Sequence, residues 1–182
     1  MKPRDFVDAL TQLLSDPTLR DRFETDRCVV VDELGVGDED AELLRRLDSQ
    51  KLQQQAQGLM HKRQSEVARL MPITWERLSD EARKLFCDYA ETTPWPSGHR
   101  RHFQDAAGFS EFLQTQTPDK TVKSECNWID FRAGNGRFAI KFVRDLLLDG
   151  NERCGIQFLY RNSQGHEKQS AVPLSLTGYR RS

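Results

Sequence analysis

Apolar side chains recur every three or four residues through the first two thirds of the chain and alternate in the last part. Phe6, Val7, Leu10, Leu13 and Leu14 share one face of a helix starting at Asp5, because 3.6 residues per turn brings such positions together. Ser15 or Asp16 caps a second helix, with Pro17 in its first turn, where the missing N–H has no partner to lose, and with Leu19 and Phe23 inward. Val29, Val30 and Val31 favour a strand, yet Cys28 to Leu34 reads as a helix among helices, closed by Gly35. Asp38 to Asp40 suit the positive end of a fourth helix, whose core side is Ala41, Leu43, Leu44 and Leu47. The longest helix runs from about Gln50 to Met71, before Pro72, and shows Leu52, Ala56, Leu59, Met60, Arg63, Val67 and Leu70 on one face. Ile73, Trp75 and Leu78 begin another helical piece, Ser79 caps a helix carrying Ala82, Leu85, Phe86 and Tyr89, and the prolines of TTPWPSGHRR force an extended turn at Trp95. Phe103, Ala106, Ala107, Phe109, Phe112 and Leu113 close the helical part in one or two short helices.

The polar stretch QTQTPDKTVK, residues 114–123, reads as a linker between a helical domain, 1–118, and a C-terminal unit, 119–182. Beyond it the period changes. Trp128, Ile129 and Phe131 precede the turn signal AGNG, and Phe138, Ile140 and Phe142 then alternate with Ala139, Lys141 and Val143. That alternation predicts a strand, although Phe138 to Leu148 can also be drawn as a helix. Ile156, Phe158 and Tyr160 alternate likewise, and after NSQG the chain returns as a strand from Gln169 to Leu176 that contains Pro173. The expected fold is therefore α+β: a helical N-terminal domain and a small C-terminal unit with a three-stranded antiparallel sheet. Such a sheet must lean on a helix or another domain to be stable.

Composition narrows the function. With 182 residues and 37% hydrophobic against 30% charged, the chain has no apolar run that a bilayer needs, and MKPRDFVDAL lacks the apolar stretch of a signal peptide. A cytoplasmic protein without membrane contact is expected. A net charge of −1 argues against nucleic acid, since phosphate binding needs surplus Lys and Arg. Cys28, Cys87, Cys126 and Cys154 lie too far apart for a zinc or disulfide framework, and Cys87 among Leu85, Phe86 and Tyr89 reads as a core thiol. AGNGR lacks the spacing of a phosphate-binding loop, and His99 and His102 of HRRH have no third metal ligand nearby. No catalytic residue stands out.

What remains is the sheet. Its outer edges leave N–H and C=O groups that an extended peptide can complete by adding a strand. Pro173 blunts part of the last strand, which points to another as receptor, and Arg144, Arg153 and Arg161 are placed to select acidic side chains. The candidate peptide-binding set is Phe138, Ile140, Phe142, Arg144, Phe158, Tyr160 and Arg161. Rival readings are a helical DNA-associated regulator using HRRH and a stand-alone thiol enzyme using Cys87 or Cys126.

Over most of its length the chain resembles a family of helical bacterial proteins. The residues that carry the likeness are LSDPTLRDRFETD (14–26), LGVGDEDAELLRRLD, QQQAQGLMHKRQSEVARLMPITWERL, LFCDYAETTPWPS, FSEFL and the LYR of Leu159 to Arg161. The family is that of the partner subunits of multinuclear non-haem iron enzymes that modify ribosomally made peptides, as in the methanobactin and thiaglutamate pathways. The resemblance implies a subunit without catalytic residues or a cofactor of its own. Iron and redox chemistry would belong to a TIM-barrel partner, and this chain would capture the leader of the precursor peptide with a unit from about residue 124 onward.

Overall fold

The computed structural model describes residues 5–148 and 151–174. Over them the chain is α+β, a helical N-terminal region followed by a three-stranded antiparallel sheet. It divides into two compact units, Met1–Glu66 with Phe86–Trp95 and Val67–Leu85 with Pro96–Ser182.

The first unit holds α1 (Phe6–Ser15), α2 (Pro17–Thr25), α3 (Arg27–Leu34), α4 (Asp38–Arg45), most of α5 (Ser49–Leu70) and the end of α7 (Ala82–Thr92). Its short helices begin on aspartates. The carboxylates of Asp5, Asp16 and Asp26 accept from the backbone N–H of Asp8, Leu19 and Val29 at 2.8, 3.0 and 3.4 Å, satisfying donors that no helical turn can reach. The three valines do lie in a helix, which Gly35 closes at φ 66°. Leu13, Phe23, Val30, Val31 and Leu44 are fully buried at the centre of the core. Val7 and Leu43, expected inward, are exposed, whereas Leu44 and Ala41 are buried as expected and Ala9 is buried beside Leu13. Arg63 is buried, its guanidinium donating to Thr93 O at 2.9 Å and lying over the rings of Phe86 and Tyr89. Cys87 is exposed rather than in the core, because α7 turns Phe86, Tyr89 and Ala90 inward instead.

The second unit holds α6 (Pro72–Leu78), α8 (Arg101–Gln116), α9 (Lys123–Ala133) and the strands β1 (Phe138–Leu148), β2 (Asn151–Arg161) and β3 (Glu167–Pro173). The polar stretch 114–123 lies inside this unit as the end of α8, a 3-10 turn and the start of α9. Ser79 ends α6 at φ 51° and opens a 3-10 turn, so it does not cap α7 directly. Trp128, Ile129 and Phe131 sit on α9, whose first N–H groups find their partners far away in sequence. Val122 N donates to Thr74 Oγ1 at 3.0 Å and Lys123 N donates to the Asp145 carboxylate. In return the Glu125 carboxylate accepts from Ile73 N and Thr74 N, each at 2.7 Å, at the start of α6. Two helix ends thereby cap each other.

Residues 138–148 form a strand, not the alternative helix. β1 pairs with β2 and β2 with β3, in the order β1-β2-β3, with Phe138 opposite Tyr160 and Gly155 opposite both Val143 and Pro173. Between Val143 and Leu146 the register shifts, so Arg144 and Asp145 face one residue of β2. This bulge resets the alternation and lets Leu146 follow Val143 into the core. The third strand is seen to Pro173, and residues 175–176 of its expected length lie outside the described residues.

Candidate functional site

Each face of the sheet takes every second residue, and the two faces differ sharply. Leu159, Val143 and Gln157 are buried on the face that carries α9. Gln157 is held there by polar links, its Nε2 donating to Ser124 O at 2.9 Å and its Oε1 accepting from Asn127 Nδ2 at 3.3 Å. On the other face stand Phe138, Ile140 and Phe142, 59, 56 and 57% exposed, with Tyr160 and Val172 also exposed and Phe158 half-buried. Register places Tyr160 opposite Phe138 and Phe158 opposite Ile140. Five of the seven sequence-predicted residues thus form one apolar surface.

The other two lie apart. Arg144 is exposed at the bulge. Arg161 is turned toward α9, where its guanidinium donates to Phe131 O at 2.7 Å, Gly134 O at 2.8 Å and Gly136 O, covers the Phe131 ring at 4.8 Å and pairs with Glu167 at 3.1 Å. These bonds satisfy the carbonyls that end α9, so Arg161 supports the unit. Arg100 of HRRH has the same employment, donating to Arg132 O at 2.9 Å and Gly134 O at 2.7 Å.

Both edges of the sheet are open among the described residues. Arg161 N donates to Arg137 O at 2.9 Å, which makes these two a hydrogen-bonded pair. In an antiparallel ladder such pairs alternate with pairs whose main-chain groups point away. The N–H and C=O of Phe138, Ile140 and Phe142 consequently point outward from β1, and none of them is bonded elsewhere among the described residues. On β3, Leu174 N donates to Cys154 O at 2.9 Å, so the outward set is Glu167, Gln169, Ala171 and Pro173. Pro173 has no N–H to offer. The β1 edge is the uninterrupted one.

α9 runs between two hollows on the inner face. One, of about 530 Å³, lies toward β3 between Trp128 and Arg132 on one side and Gln169 and Ala171 on the other. Several of its polar groups are engaged: Arg132 bonds Glu167 at 2.7 Å, Gln169 accepts from Gln157 at 3.2 Å and Glu125 caps α6. The other hollow, of about 230 Å³, lies toward β1 and is walled by Phe131, Leu159, Ala139 and the backbone of Gly134 and Gly136.

Charge on the sheet is lopsided. Asp145, Glu152 and Glu167 are committed to Lys123 N, Arg77 and the arginines Arg132 and Arg161. Exposed Arg137, Arg144, Arg153 and Lys168 have no ion pair among the described residues. Residues 41–115 match the family model described as SCO6045-like, C-terminal domain. The matched stretch runs from α4 into α8 and stops before the sheet. No curated protein and no solved structure matches the chain.

Among the described residues, no group of three His, Cys, Asp or Glu is arranged to hold a metal, and no helix is long and apolar enough to cross a membrane. Cys126 is buried, and burial pushes its thiol above the usual value despite a hydrogen bond with Ser110, which disfavours the thiolate.

Proposed function

We propose that this chain is the non-catalytic subunit of a peptide-modifying complex in the cytoplasm. Residues 1–118 dock on a TIM-barrel non-haem iron oxidase, and residues 119–182 recruit the leader of a ribosomally made precursor peptide, whose C-terminal part, such as a cysteine, the oxidase modifies. Iron sits in the partner. The observation that carries this reading is the β1 edge, where Phe138, Ile140 and Phe142 turn main-chain groups outward that are unpaired among the described residues, beside an exposed apolar surface and cations with no ion pair among the described residues. An extended leader supplies the missing partners. Tethering it there raises the effective concentration of the distant reacting residue at the iron. The match over residues 41–115 is compatible with this assignment.

Amide hydrogen exchange with and without precursor peptide tests it. Peptide is expected to slow exchange at residues 138, 140 and 142 while leaving 139, 141 and 143, already bonded to β2, unchanged. Ile140→Pro removes one outward donor without touching the ladder and is expected to weaken peptide binding at least about tenfold, since a main-chain donor to the guest is lost in the middle of its register. Protection at Gln169 and Ala171 instead would move the receptor to β3.

A further inference from the structure

The hollow between β1 and α9 is bordered by Phe131, Ala139, Leu159, Asp130 and Lys141. A guest strand added to β1 alternates as β1 does, one set of side chains extending the apolar surface of Phe138, Ile140 and Phe142 and the other set turning toward α9. That second set meets the hollow of about 230 Å³. It exists because Ala139 is the smallest residue on the inward side of β1 and because Gly134 and Gly136 put backbone, without side chains, at its mouth; a Cβ on Gly136 would already come within 4.0 Å of the Phe131 ring. Phe131 and Leu159 give it an apolar floor. Of its polar neighbours, Asn127 is bonded to Gln157, and Asp130 and Lys141 also border the hollow, where burial pushes the Asp130 carboxyl above the ordinary value. Arg137 and Arg144 lie exposed just before and just after the open stretch, about 23 Å apart along an extended chain at the rise of a strand.

We propose that the guest is an extended segment anchored by one large apolar side chain in this hollow, with carboxylates near both ends that reach Arg137 and Arg144. The inference rests on strand addition at β1 and names the chemistry that selects the strand. Filling the hollow buries one large side chain against Phe131 and Leu159 and leaves its amide neighbours free to pair with β1, whereas a polar anchor would lose water over that apolar floor and find partners only toward Asp130 and Lys141.

The test uses the full chain and a cellulose array of ten-residue peptides in a threonine-rich host, with the central residue varied and either Asp or Lys at the ends, followed by fluorescence anisotropy. Peptides with central Phe, Leu or Met and Asp ends are expected to bind at least about tenfold tighter than those with central Ala or Lys ends. Ala139→Phe, which fills the hollow from within, is expected to erase the central preference and leave the central-Ala peptide unchanged. Ala139→Val, well suited to a strand, keeps the test valid if the larger substitution disturbs folding; it is expected to narrow the preference. Slowed exchange at 138, 140 and 142 with no central preference, or with a preference that neither substitution alters, overturns the anchor and leaves strand addition standing. Binding without protection of those amides, or no binding by any peptide, overturns both.

Discussion

A Cβ added to Gly155 would stand 2.6 Å from Leu146 Cδ2 and 2.8 Å from Val172 O. The side chain of Leu146 can move, but the carbonyl belongs to the β2–β3 ladder, so the strand itself must shift. Gly155→Ala is expected to destabilise the protein by about 1–3 kcal/mol, the usual range for overpacking a tight site, as read from urea unfolding. Arg161 makes the opposite point at the same scale. Its charge and its place next to Tyr160 marked it as a selector of acidic guests, and a sequence pattern has no means of showing that its guanidinium is engaged by Phe131 O and Gly134 O. Gln157 was legible only as a polar residue in a strand, and its burial follows from Asn127 and Ser124 arriving opposite it.

At the scale of elements, the β2–β3 hairpin is tied to α9 through Glu167. Burial raises its carboxyl pKa, but hydrogen bonds and charge from Arg132 and Arg161 outweigh this and leave it below the ordinary value of 4.5. A carboxylate whose folded pKa is depressed contributes stability that is fully present above the ordinary value and is lost as pH falls through the lowered one. The thermal midpoint is therefore expected to fall on acidification below about pH 4.5, and Glu167→Gln to be less stable near neutrality with a shallower fall over the same window. Strand alternation, the turns at AGNG and NSQG and the helix start at Asp5 were legible because each is a local rule, whereas the cap at Asp26 was not read. The polar linker was not legible as a piece of the second unit, since a 3-10 turn followed by a helix start has the composition of a loop until Thr74 and Asp145 supply its partners.

For the whole molecule, we propose that chemistry belongs to one protein and recognition to another. The purified chain is expected to turn over no precursor peptide, and the complex co-expressed with its iron partner to do so; turnover by this chain alone would dispose of the division of labour. Loss of turnover on Ile140→Pro, with the complex still forming, would assign recognition to the sheet and docking to residues elsewhere.

Sequence by itself determined the helix periods, the caps at Asp5 and Gly35, the second and third strands and the apolar alternation of β1, because these depend on residues a few places apart. Tertiary structure decided which of two alternating sets faces water. Both sets in β1 carry apolar residues, and only the placement of α9, fixed by caps and hydrogen bonds from residues 20 to 50 positions away, turns Val143 and Leu159 inward and leaves Phe138, Ile140 and Phe142 exposed.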